Sequence, residues 1–162
     1  MKIAMFGHKR IPSREGGVEI VVEELASRMV KTGNEVTCFN RNGKGCVSQK
    51  YGKRYNFNGI EVKTVPTIDK KGMAAVTAAF FSSVMAAFGK YDIVHIHAEG
   101  PAFFCWIPKL FHKKIVVTVH GLDWQREKWK GGFGAKFIRK GEENAVKYAD
   151  EIIVLSKNVE QY

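Results

Sequence analysis

The first thirty residues constrain the fold of this chain most tightly. A short apolar run, Ile3-Ala4-Met5-Phe6, reads as a buried strand. A loop from Gly7 follows, carrying Lys9, Arg10, Pro12 and Arg14 and closing on Gly16-Gly17. Val18, Val21, Val22, Leu25, Ala26, Met29 and Val30 then recur at the spacing of one helical face, which leaves Glu19, Glu23, Glu24 and Arg28 largely on the other. Strand, glycine-ended loop and helix together open a nucleotide-binding α/β domain. Without a Cβ at Gly16 or Gly17, a ligand can reach the unpaired N–H groups of the first helical turn, where the helix dipole favours phosphate.

A dinucleotide fingerprint is not met. It requires G-x-G-x-x-G after the strand and an acidic residue at the end of strand two. Here Gly7 is followed by His8-Lys9-Arg10, and the second strand, Glu35 to Phe39, runs into Asn40-Arg41. Two readings of Gly16-Gly17 stay open, a phosphate cradle and a plain tight turn with Glu19 complementing the dipole.

Further along, Gly33-Asn34 ends the first helix, and Asn58-Gly59 turns the chain into a third strand, Ile60 to Val65. Tyr51 to Phe57 has no firm period and reads as an irregular excursion or a small strand. Met73 to Phe88 carries no charge but is short and rich in Ala, Ser and Thr. It is expected as a helix buried between neighbours, with a surface resting on a membrane as the alternative. Tyr91 to His97 is strand four, Gly100 to about Phe111 a helix tolerating Pro108, and Lys114 to Val119 strand five. Ala135 to Ala149 reads as a helix and Glu151 to Leu155 as strand six, after which Ser156 can cap another helix. Because the sequence ends at Tyr162, a turn into that helix, a fragment of a longer protein is expected.

Strands alternating with helices predict an α/β, Rossmann-like, doubly wound and mostly parallel sheet in three α/β/α layers, spanning residues 1–162. The expected order, counting these six strands, is 3-2-1-4-5-6. Ligand-facing loops then lie at the strand carboxyl ends, where Gly16-Gly17, His97 to Gly100, and His120 to Asp123 fall. His95 is expected as a hydrogen-bonded core residue. His97 fits core and site equally, and His120, ending a strand beside Gly121, is the stronger site candidate.

Four segments carry a resemblance: KIAMFGHKRIPSREGGVEIVVEEL, YDIVHIHAEGP, VVTVHGLDWQREKWK and ADEIIVLS. With them the chain resembles the N-terminal half of bacterial retaining glycosyltransferases of GT-B architecture, family 4-like, a group that includes many cell-surface polysaccharide enzymes. The resemblance implies an acceptor-side Rossmann-like domain, partnered by a C-terminal domain that holds the nucleotide-sugar and is absent from this chain. It implies that Gly16 and Gly17 approach the donor diphosphate and that His120 lies beside the transferred sugar as the catalytic candidate. It further implies that His97, Glu99, Asp123, Trp124 and Arg126 shape the acceptor side. A hexosyltransferase-like enzyme of polysaccharide biosynthesis is the implied whole, and the fragment alone is expected to be inactive.

Sugar transfer requires that the leaving diphosphate be stabilised. A helix N-terminus with nearby cations can do this without a metal, so neither cofactor nor metal is expected, and Arg14 is a candidate assisting cation. The expected partners are a nucleotide-sugar donor and a saccharide or lipid-linked acceptor. The basic excess, 26 Lys and Arg against 16 Asp and Glu for a net charge of +10, makes an anionic membrane surface a further candidate. The aromatic and basic stretch from Trp124 to Lys130 suits sugar rings or headgroups, or a packing loop with a charged rim. Three cysteines without metal-like spacing and no signal peptide predict a cytoplasmic protein, with the inner membrane face as a peripheral location. Two other classes remain. One is an NADP-dependent oxidoreductase or epimerase domain with Arg41 on a 2′-phosphate, and the other a basic nucleic-acid binder, against which stands the lack of any known nucleic-acid module.

Overall fold

The computed structural model describes residues 1–43, 52–70, 72–121, 132–155 and 157. Seven strands form one sheet: β1 (Lys2–Phe6), β2 (Glu35–Arg41), β3 (Arg54–Phe57), β4 (Ile60–Val65), β5 (Ile93–His97), β6 (Lys114–Val119) and β7 (Glu151–Val154). Their order is β3-β4-β2-β1-β5-β6-β7, parallel throughout except that β3 pairs antiparallel with β4. The six strands read from sequence therefore fall in the expected order, and the stretch left ambiguous adds an edge strand. Asn58 (φ 51°) and Gly59 (φ 84°) make the two-residue hairpin that attaches it, a turn needing positive φ at both positions.

Strand alternation divides the core in two. Ile3 and Met5 of β1 face α1 (Gly17–Lys31), packing with Val22, Ala26, Val36, Cys38, Ile60 and Val62. Ala4 and Phe6 face the opposite side, where Phe39, Val94, Ile96, Ile115 and Val117 meet the remaining helices. Those helices are α2 (Met73–Phe88), α3 (Glu99–Ala102), α4 (Trp106–Leu110) and α5 (Phe133–Tyr148).

Helix α2 has the bounds expected from sequence. Ala78, Ser82 and Ala86, with Ala79, Ser83 and Ala87, form a strip of small side chains that brings it close to the rest of the fold. The single helix expected from Gly100 to Phe111 is instead two short pieces. Pro108 has no N–H for the Phe104 carbonyl, which accepts from Ile107 N at 3.0 Å, and the intervening turn is closed by similar three-residue bonds. The end of α1 is as expected: Gly33 takes φ 86°, and Asn34 N donates back to Met29 O at 3.0 Å.

Glu23 departs from the sequence reading. It is buried, its carboxylate pairing with Arg14 at 3.0 Å and accepting from Ser13 N at 3.4 Å. The β1–α1 loop folds over that part of the helix and supplies the partners that a buried carboxylate needs.

Candidate functional site

The carboxyl ends of β1, β5 and β6 lie side by side, so the loops leaving them converge. At β1, Gly7 (φ +114°) passes so close to β5 that a Cβ there would lie 2.0 Å from His97 O. Only glycine fits both the conformation and the contact. His8 follows and is buried, its Nε2 3.0 Å from Asn40 Oδ1. Asn40 also accepts from Ile11 N and donates to Ile11 O and to the Tyr55 hydroxyl, each at 3.0 Å. One polar side chain at the end of β2 thus ties the loop to the sheet. Arg41 beside it donates to Gly7 O at 3.3 Å. Gly7, His8, Phe39 and Arg41 line a small cleft with Ala79 and Ser82 of α2 and Pro101, leaving a void of about 10 Å³, room for about one water.

The loop reaches α1 through Gly16, which is extended (φ −149°, ψ 151°) and caps the helix without a side-chain bond. The Glu19 carboxylate bends back over it, accepting from Lys9 N at 2.8 Å, and a Cβ on Gly16 would lie 2.2 Å from its Oε2. A Cβ on Gly17 would meet nothing within 4 Å. Gly16 therefore admits the Glu19 carboxylate, while Gly17 leaves the first turn of α1 open. Arg14 is held against Glu23 and Arg10 pairs with Glu15, so two of the loop's cations are already engaged with carboxylates.

The histidines form a stack. Alternation along β5 puts His95 and His97 on one face, with ring centroids 4.3 Å apart. His95 Nε2 lies 2.7 Å from Thr118 Oγ1, the hydrogen-bonded core role expected of it. His97 is fully buried, and its Nδ1 lies 3.1 Å from Nε2 of His120, which is half-buried beyond the end of β6. Among the described residues His97 Nε2 has no hydrogen-bond partner, nor has His8 Nδ1. Burial pushes the His8 and His95 pKa values down to about 4, and that of His97 well below the ordinary histidine value, with neighbouring rings adding to the effect on His97. These three imidazoles are therefore neutral at pH 7. In the His97–His120 pair, one nitrogen donates and the other accepts.

The chain leaves β5 through Ala98 at φ 76°, ψ 154°, a region that is almost exclusively glycine's. The strain directs Ala98 N to Thr118 O (2.9 Å) and starts α3, in which Glu99 is buried. Gly141 of α5 packs so closely here that a Cβ on it would lie 1.9 Å from Glu99 O.

The structure thus brings His97 and His120 into contact, sets Gly7 against the His97 backbone, and buries Glu99 one residue beyond the strained Ala98. Asp123, Trp124 and Arg126 lie outside the described residues. The sequence reading missed His8 and Asn40, although a polar pair flanking two apolar strands was a visible signal. Among the described residues no group of three or more His, Cys, Asp or Glu is arranged to hold a metal ion.

The family model for Glycosyltransferase Family 4 matches residues 15–162. No curated protein matches the sequence. Among solved structures, sucrose-phosphate synthase from Thermosynechococcus elongatus superposes with a TM-score of 0.78 at 17% identity, covering 99% of this chain and 44% of that one. Anabaena HepE in complex with UDP and glucose gives a TM-score of 0.54 at 16% identity, over 94% of this chain and 37% of that one. An alpha-glucosyltransferase in complex with UDP and a 13-mer DNA gives 0.52 at 17% identity, over 98% and 38%. The chain spans less than half the length of each of these structural relatives.

Proposed function

This chain belongs to glycosyltransferase family 4, and on that premise we propose that it is the acceptor-side domain of an enzyme transferring a sugar, a hexose, from a nucleotide-sugar to a saccharide or lipid-linked acceptor. A second Rossmann-like domain would hold the nucleotide. The observation that carries the reading is the meeting of His97 and His120 at the carboxyl edge of the sheet, where open α/β sheets bind ligands.

In the transfer, the bond from the anomeric carbon to the diphosphate breaks and one to an acceptor oxygen forms. The acceptor proton leaves to the departing phosphate or to solvent. Negative charge grows on the diphosphate, and the open first turn of α1 at Gly17 can receive it through backbone N–H groups. Gly16 has a different part, making room for the Glu19 carboxylate that accepts from Lys9 N and holds the loop. Arg14 would have to leave Glu23 to assist, so in this arrangement it acts by shaping the loop. The half-buried His120 ring is the group placed beside the reacting sugar, and neutral His97 is a positioning residue that fixes it through one nitrogen. Glu99, Asp123, Trp124 and Arg126 are assigned to the acceptor side. UDP in two of the structural relatives supports a uridine diphosphate donor. No metal or cofactor is needed in this scheme, and a role in polysaccharide biosynthesis at the cytoplasmic side of a membrane is consistent with it.

The test is release of nucleoside diphosphate by the full-length protein with an acceptor present. His120→Ala should lower kcat by about a hundredfold and leave stability within about 1 kcal/mol. His97→Gln should lower kcat with little change in the donor KM. A destabilised but fully active His120→Ala variant would reduce His120 to a packing residue and overturn the assignment.

A further inference from the structure

Helix α2 is apolar on both sides, although only one of them is covered. Its inner strip of Ala and Ser is buried, while Met73, Phe80, Val84 and Phe88 recur along the outer side at helical spacing. Phe88 is 73% exposed, Phe80 41% and Met73 45%. A helix that is hydrophobic all round ordinarily has cover all round. The stripe continues onto the next helix: the Phe88 and Phe111 rings are 4.6 Å apart, and Leu110 and Trp106, one turn apart on α4, are exposed beside them.

Positive charge surrounds this apolar surface. Lys70 and Lys90 are exposed at the two ends of α2, and Lys114 is exposed at the start of β6, just after α4. Two carboxylates in the adjoining segments are satisfied within the fold. Asp92 accepts from Lys2 N at 2.7 Å, and Asp150 accepts from Lys109 Nζ at 2.6 Å and from Ile115 N at 2.7 Å. Lys113 Nζ is bonded to the carbonyls of Gly89 and Tyr91, pinning the end of α2 to the start of β6. No helix among the described residues is long and apolar enough to cross a membrane. An aromatic and aliphatic face with a cationic rim has the chemistry of a helix lying in the plane of a lipid interface.

We propose that the outer face of α2 together with α4 is a membrane-docking surface, its occupant the headgroup and upper acyl region of an anionic bilayer. The rings of Phe80, Phe88 and Phe111 enter the acyl boundary, and Trp106 sits at its edge. Lys90 and Lys114 pair with anionic headgroups. The docking does not depend on sugar transfer and is read out without it.

The experiment is co-sedimentation of the chain with vesicles of phosphatidylcholine alone, and of phosphatidylcholine with one-third phosphatidylglycerol. The wild type should pellet with the anionic vesicles, weakly with the neutral ones, and less as salt is raised. Phe80→Ser/Phe88→Ser should lower partition into anionic vesicles at least tenfold while melting within a few degrees of the wild type, since both side chains are exposed. Lys90→Glu should weaken partition more than Lys31→Glu, which lies at the end of α1 on the other side of the sheet. In a Trp124→Phe/Trp129→Phe background, Trp106 emission should shift to the blue on anionic vesicles. Unchanged partition in the double serine variant, or equal effects of the two lysine variants, would overturn the proposal in favour of diffuse charge. A self-association that the double serine variant abolishes, with vesicle partition unaltered, would assign the face to a second copy of the chain and overturn it equally.

Discussion

Lowering the pH from about 7.5 to about 5.5 should destabilise the folded chain by about 4 kcal/mol, through three buried histidines. An unfolded histidine titrates near 6.5, whereas His8 and His95 are held at about 4 and His97 well below its ordinary value, burial being the largest cause for each. The Glu19 carboxylate works against the shift at His8 and the Arg41 guanidinium with it. Because the folded values are depressed, the unfolded state binds more protons below 6.5. Stability is then complete above that pH and falls as pH drops towards 4. Averaged over the two pH units, unfolding takes up about half a proton per histidine, a little over 1 kcal/mol each at about 1.4 kcal/mol per proton and pH unit. Against a total of about 5–15 kcal/mol for a domain, that loss is large. The carboxylates with lowered values, Asp150 and Glu61, act below this window. Urea denaturation at half-unit pH steps measures the slope, and His8→Gln, which keeps a polar partner for Asn40, should reduce it by about a third. A flat profile between pH 7.5 and 5.5, or an undiminished slope in that variant, would refute the reasoning.

Ala98→Gly should stabilise the chain by about 1 kcal/mol, since relief of a backbone region costing about 1–3 kcal/mol exceeds the added entropy of glycine; a lower urea midpoint would contradict it. Gly141→Ala should cost at least about 2 kcal/mol, because its Cβ would meet the backbone at Glu99 O and α5 must move away from α3, as a melting curve will register. The chain alone should bind UDP-sugars with a Kd above about 1 mM and transfer nothing, if only the edge of a phosphate is contacted; micromolar affinity by calorimetry would count against a separate nucleotide-holding domain.

The sheet was legible in the sequence because its strands are short apolar runs bounded by glycine, proline or charge. Each could be placed from its own composition, as Ile3 to Phe6 and Lys114 to Val119 show. The ends of α2 were equally plain, its uncharged stretch being flanked by Lys70 and Lys90. Two elements escaped for stated reasons. β3 exists only by pairing with β4, and the break between α3 and α4 depends on how the chain bonds around a proline that a helical period alone would tolerate.

The site was legible only in parts. Sequence by itself marked His97, His120, Gly16 and Gly17, because strand-end position is a local property. It could not show that His97 is buried and touches His120, since those residues are 23 apart and meet through the pairing of β5 with β6. Nor could it place Glu23 inside, where that part of α1 is covered by its own preceding loop and Arg14 is drawn into an ion pair. Local patterns fix which residues form strands and helices, because period and composition act over a few residues. Which titratable groups lose water, and therefore which stay neutral, is decided when distant segments close over them, and that is a property of the tertiary structure alone.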